Sequence, residues 1–210
     1  MCKRQFCKKE LKVKKQIVFI FLIVGLHVFA CKDEHHHHEH NHDKSNIPAS
    51  KASEGSLYEL EEKWTTQSGT TITLADFKKE PILISMFYAS CQSVCPRIVS
   101  DLQKLEKEIQ AKSGKIPKIV LVSFDPEKDT KEVLQTYVGK MKLGDNWTLL
   151  NGTNDSVRML SVVLGINYQK TETGDFNHST VISLISSDGK IETRVEGIGA
   201  DKTSILKYFK

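Results

Sequence analysis

Three patterns of apolar and polar residues divide the chain. Residues 17–30, IVFIFLIVGLHVFA, are apolar almost throughout, residues 31–56 are polar almost throughout, and from Leu57 onward the two kinds alternate with regular periods. In that last region PILISMFYA (81–89) and KIVLVSF (118–124) are unbroken apolar runs of the length of strands buried on both faces. TTITLADF (70–77) alternates briefly and ends in an Asp turn. Ile98, Leu102, Leu105 and Ile109 recur at helical spacing through PRIVSDLQKLEKEIQAKSG, and Pro96 suits the first position of that helix, which leaves Cys95 at or near its N-cap. A second helix is expected through DTKEVLQTYVGKM, with Asp129 and Glu132 at capping-box spacing. A short WTLL, a helix through NDSVRMLSVVLG, the segments STVISLI and KIETRVEG around the hairpin signal SSDG, and a closing helix in DKTSILKYFK complete the order. Strands alternating with helices, then a hairpin and a last helix, predict an α/β fold with a mixed central sheet flanked by helices.

At 210 residues the chain has material for one core with appendages. The division expected is a leader (1–30), a polar tether (31–56) and one folded domain (57–210). Residues 1–16 carry many Lys and Arg against Glu10 alone, and the apolar run behind them ends in VFAC; this is the pattern of a signal peptide, with Ala30 before Cys31 resembling a lipobox. The run is short for a spanning helix, which wants about 20 apolar residues. Cys31 is therefore the candidate for lipidation, with an uncleaved anchor helix as the alternative. Either one places the domain in the cell envelope, anchored to a membrane and facing the periplasm or the exterior. The net charge of +4 is concentrated in the leader, and from residue 31 the chain is slightly acidic, so no nucleic-acid footprint remains. The tether holds His35, His36, His37, His38, His40 and His42 without a packed scaffold. Imidazoles at this density bind copper, nickel or zinc loosely, the alternative being a solvated spacer.

With Cys2 and Cys7 in the leader and Cys31 blocked by lipid, one thiol pair is left to the domain, Cys91 and Cys95 in ASCQSVCPRI. A bridge between them closes a very small loop and restrains the unfolded chain little, which makes a structural staple the weaker reading. A helix start favours the thiolate, and thiolates both attack disulfides and bind soft metals. In open α/β sheets sites form beyond the carboxyl ends of the parallel strands. Cys91 follows the first apolar strand and Asp125 the second; His178, the domain's single histidine, stands just before the strand at 180–186. If that strand runs antiparallel, all three meet at one edge. A lone histidine is by default a surface or packed residue, yet two thiolates and one imidazole suit Cu(I), whereas a structural zinc wants a fourth ligand. Asp125 also reads as an Asp-Pro turn residue, and Asp129 as a helix cap.

In CQSVCP, VSFDPEKDT, NHST before a strand and the SSDGKI hairpin after it, over roughly residues 57–210, the sequence resembles the Sco (SenC) proteins, copper-binding factors for cytochrome oxidase assembly. The resemblance implies a thioredoxin-like fold, with Cu(I) or Cu(II) bound by Cys91, Cys95 and His178. It also implies a partner, the copper-bearing subunit of cytochrome c oxidase. That subunit's dinuclear copper centre would receive the ion, or have its cysteines reduced by the redox pair Cys91 and Cys95. Asp125 looks like the family's acidic residue near the site. CQSVCP lacks the proline many members carry just after the first cysteine, and the histidine tether is not a general family feature.

Two other classes compete. A general thiol-disulfide oxidoreductase of the envelope would usually show Cys-x-x-Cys and a proline before the late strand, where this chain has HST. A peroxiredoxin is set aside, because Ile84 and Tyr88 stand where its proline and threonine belong. The other class is a metal-scavenging lipoprotein whose histidine tether does the binding.

Overall fold

Described from residue 55 onward, the chain first lays down a 3-10 turn at Leu57–Glu59, a short hairpin of Trp64–Thr66 (β1) and Thr71–Ile72 (β2), and a second 3-10 turn at Leu74–Phe77. The structure is a computed structural model. The leader, Cys31 and the histidine run at 35–42 lie outside the described residues. Next come the two unbroken apolar runs, Ile82–Phe87 (β3) and Lys118–Ser123 (β4), which pair in parallel with Ile82 opposite Lys118 and Phe87 opposite Ser123. Every residue of β3 and all but the first of β4 are buried, as strands covered on both faces require.

Between them runs Val94–Ser113 (α1), which buries Ile98, Leu102, Leu105 and Ile109 and ends at Gly114 in the left-handed conformation, φ 71°. The helix begins earlier than Pro96, so the proline lies within the first turn, where its missing N–H costs nothing, and Cys95 is the second helical residue rather than the cap. Lys131–Met141 (α2) turns Leu134 and Tyr137 inward, and its cap is Thr130, whose hydroxyl accepts from the Val133 N–H. Asp129 does not cap it. Trp147–Asn151 (β5) runs parallel to β4, and Asn154–Leu164 (α3) is capped by Thr153 and closed by Gly165 at φ 67°.

A hairpin that the sequence pattern had not announced follows, Tyr168–Lys170 (β6) with Phe176–His178 (β7), standing apart from the main sheet. Val181–Ile185 (β8) and Ile191–Glu196 (β9) are the expected hairpin, and Thr203–Tyr208 (α4) ends the order. The seven-stranded sheet reads β2-β1-β5-β4-β3-β8-β9. β3, β4 and β5 are parallel and β8 is antiparallel to β3, so the start of β8 lies beside the carboxyl end of β3. That is the mixed sheet flanked by helices that the periodicity predicts. The buried core runs from Leu57 to Phe209, so residues 55–210 carry a core of their own. Among the described residues no helix is long and apolar enough to cross a membrane.

Two glycines test how tightly this frame is packed. A Cβ on Gly152 would sit 2.6 Å from Cζ3 of the buried Trp64, while one on Gly139, an exposed position in α2, meets nothing within 4 Å. Gly152→Ala is expected to lower stability by about 1–3 kcal/mol through overpacking. Gly139→Ala is expected to raise it by about 0.5–1 kcal/mol through helix propensity. Urea titration of the two variants checks the opposite signs.

Candidate metal centre

A buried carboxylate fixes the loop that carries the first cysteine. Asp129 Oδ2 accepts the Ala89 N–H at 2.9 Å and the Ser123 hydroxyl at 2.5 Å, and the Ser123 Oγ in turn accepts the Asp125 N–H at 3.0 Å. The loops that leave β3 and β4 are thereby joined at the carboxyl edge of the sheet. Burial pushes the Asp129 carboxyl up, and the charge of Asp125 adds to the effect against the two hydrogen bonds that pull it down.

The thiols sit where this loop becomes α1. Ser93, at the N-cap, places no side chain on the first turn; instead the Cys91 Sγ accepts the Cys95 N–H at 3.3 Å. A sulfur thus does what a capping oxygen usually does. Both cysteines are free and buried, Cys91 at 6% exposure and Cys95 at 0%. Their environments drive them apart. Burial raises the Cys91 thiol, but the backbone N–H groups of Cys95 and Ser93, with help from the Cys95 thiol and the Tyr88 hydroxyl, outweigh it and leave it below the ordinary value. Cys95 is pushed far up, first by burial and then by the neighbouring Cys91. Tyr88 is pushed up to about 12, by burial first and by its hydrogen bond with Cys91 next.

His178 reaches the thiols from the added hairpin, as the last residue of β7, paired with Tyr168 of β6. Its ring lies 4.9 Å from the Phe124 ring and edge-on to Tyr88 at 6.3 Å. Nδ1 is 3.0 Å from the carbonyl oxygen of Ser179. A carbonyl only accepts, so Nδ1 carries a proton, and in the neutral ring the lone pair is on Nε2. Nε2 faces the Cys95 Sγ at 3.8 Å, where the thiol donates to it. The three residues therefore converge at one edge as the topology requires. The hairpin that brings His178 there went unread because TETGD is polar throughout; Gly174, at φ 85°, is the turn signal it did contain.

Asp125 is 2% exposed, and the partners of its carboxylate are the ammonium groups of Lys128 at 3.6 Å and Lys170 at 3.8 Å. Its carbonyl accepts the N–H groups of Lys128 and Asp129, so the turn role is present too. Lys170 also lies 5.6 Å above the Phe176 ring. It ties the His178 hairpin to the loop after β4.

Among the described residues no three His, Cys, Asp or Glu side chains are drawn into a closed ligand cage. The donor set nevertheless fits a soft ion, with two sulfurs and an imidazole nitrogen already in its ligating tautomer. The Sγ to Nε2 separation is 3.8 Å.

Fold and site define a thioredoxin-like protein with a paired-thiol centre. Residues 50–208 match the SCO1/SenC family, and the chain belongs to it. It is 25% identical over 146 residues to the SCO1 protein homolog of Bacillus subtilis, covering 67% of this chain and 75% of that one. Against a Stutzerimonas stutzeri relative, 29% identical over 112 residues, it spans about half the relative's length, 54%, and 51% of its own. Among solved structures it is similar to a SCO1/SenC family lipoprotein from Bacillus anthracis, with a TM-score of 0.64 and 26% identity over 70% of this chain and 89% of that one. It shares its fold with Arabidopsis thaliana ScoI, solved with copper bound, at a TM-score of 0.63 and 20% identity over 70% and 94% of the two chains. It shares it also with BsSco, at 0.62 and 23% over 70% and 88%; BsSco is described as having a disulfide switch and as a member of the Sco family of cytochrome c oxidase assembly proteins.

The opposite shifts of the two thiols are open to direct measurement. Iodoacetamide labelling followed by peptide mass spectrometry across a pH series should modify Cys91 first, with a midpoint below the free-cysteine value of about 8.5. Cys95 should stay unmodified through the same range. Equal midpoints, or Cys95 reacting first, would contradict the capping role of Cys91.

Proposed function

We propose that this chain binds copper through Cys91, Cys95 and His178 and serves the assembly of the dinuclear copper centre of cytochrome c oxidase. The observation that carries the reading is the bare Nε2 of His178 facing the Cys95 sulfur at 3.8 Å. The family, and the copper-bound structure of a relative with the same fold, support it. Copper is cargo in this reading. Two thiolates bind Cu(I) well, and the imidazole, held in one tautomer by Ser179, adds a neutral donor.

The same pair has a second use, reduction of the cysteines of the target's copper centre. Cys91, the more acidic and more exposed thiol, attacks one sulfur of a target disulfide and forms a mixed disulfide. Cys95 then displaces the second target thiol. Two thiols become one disulfide here, and the two electrons and two protons leave with the reduced target. The histidines at 35, 36, 37, 38, 40 and 42 are in this reading an accessory loading segment, and Cys31 is the lipid anchor that keeps the domain at the envelope membrane.

Because the folded region carries its own core, the copper site is testable on residues 50–210, which lack the histidine run. His178→Ala should weaken Cu(I) binding by about 100-fold or more, read by competition with a chromogenic chelator. An unchanged affinity would end the three-donor reading. Oxidation removes both thiolates, so the fully oxidised chain should take up no copper in the folded domain. A full equivalent of copper on the disulfide form would refute shared ligands.

A further inference from the structure

The end of the sheet opposite the thiols has features that the copper site does not use. It is built where β3 and β4 begin, about 17 Å from where they end. A cavity of about 550 Å³ opens there, lined among others by Lys79, Lys115, Lys118 and Lys210. Glu80 is its one acidic side chain, and Lys118 takes it at 3.6 Å. Asp188, on the neighbouring turn, is engaged by Lys190 at 3.3 Å. Residues 55–210 contain as many acidic as basic side chains, so this concentration of lysines is an asymmetry of placement, not of composition.

Apolar groups stand among the charges. Ile116 is 55% exposed and Tyr208 39%, two of the few large hydrophobic side chains so exposed in the described region. Lys79 is held at φ 95°, a conformation natural to glycine and unfavourable to a residue with a Cβ. The chain keeps a lysine there against that backbone preference.

The chain also leaves from this end. Ser56 donates to the Asp188 carbonyl, and the Leu57 N–H to that of Gly189, both on the β8–β9 turn. That turn follows Ile185, which pairs with Ile82 at the start of β3. The connection back to the apolar run at 17–30 therefore begins at the lysine-rich end and not at the thiol end.

We propose that this end is a docking surface for an anionic lipid bilayer. Lysines reach the phosphates while Ile116 and Tyr208 enter the headgroup boundary, the combination by which basic surfaces with apolar tips hold to membranes. Docked this way, Cys91, Cys95 and His178 face away from the lipid, at the height of the domain, where another protein's outer domain is met. The proposal is independent of the copper reading.

The test uses residues 50–210 in co-sedimentation with vesicles at low salt, comparing mixed phosphatidylglycerol–phosphatidylcholine with phosphatidylcholine alone. Partition onto the anionic vesicles is expected, with little onto the neutral ones and a decline as salt rises. The double variant Lys79→Glu, Lys115→Glu should lower the partition coefficient by about 25-fold or more, and Ile116→Ser severalfold. A control with the same charge change elsewhere, Lys131→Glu with Lys140→Glu, should leave it within a factor of two. Circular dichroism melts confirm that every variant is folded. No partition of the parent, or an equal loss in the control, overturns the proposal.

Discussion

One hydrogen bond decides what the centre can do: the donation from His178 Nδ1 to the carbonyl of Ser179 at 3.0 Å. With a proton held there, the neutral ring has its lone pair on Nε2, the nitrogen that faces a buried sulfur. That sulfur belongs to the thiol least able to ionise by itself, since Cys95 has no exposure and no cation beside it. Such a thiol gives up its proton when something replaces it, either a metal ion or a second sulfur. The other thiol is already prepared, because the first turn of α1 uses its sulfur as a cap. One acidified thiol, one reluctant thiol and one imidazole nitrogen make the centre on which the proposed copper and thiol chemistry rests.

The fold delivers these groups from separate parts of the chain. Parallel β3 and β4 end at the same edge, and antiparallel β8 begins there, so the loop before it arrives opposite the helix that starts with the thiols. Asp129 locks the first loop to the second through Ala89 and Ser123. The hairpin bearing His178 has no ladder to the main sheet; aromatic contacts with Phe124 and Tyr88, and the reach of Lys170 to Asp125, hold it. The centre therefore joins a thiol side whose loop Asp129 ties to its neighbour and a histidine side whose hairpin shares no ladder with the main sheet.

Much of this was legible because it follows from short-range pattern. The apolar runs at 81–89 and 118–124, the helical spacing of Ile98, Leu102 and Leu105, and the Asp-Gly turn each state their element locally. What was not legible depends on distant partners. Asp129 and Thr130 are adjacent candidates for one cap, and only the burial of Asp129 against Ala89 and Ser123 separates them. The start of α1 lies before Pro96 because the Cys91 sulfur substitutes for a side-chain cap, which no capping preference anticipates. β6 and β7 are three residues each and bury only Phe176, so hydrophobic alternation, the usual signature of a strand, is too short to read in the hairpin that holds the only histidine of the described region.

The central claim is that two sulfurs and one imidazole share a single ion. X-ray absorption at the copper edge, on residues 50–210 loaded with one equivalent of Cu(I), reads the donor set directly. A first shell of two sulfurs with one nitrogen, and outer scattering from an imidazole that vanishes in His178→Ala, is the result expected. A shell of sulfur alone, unchanged by that substitution, would contradict it.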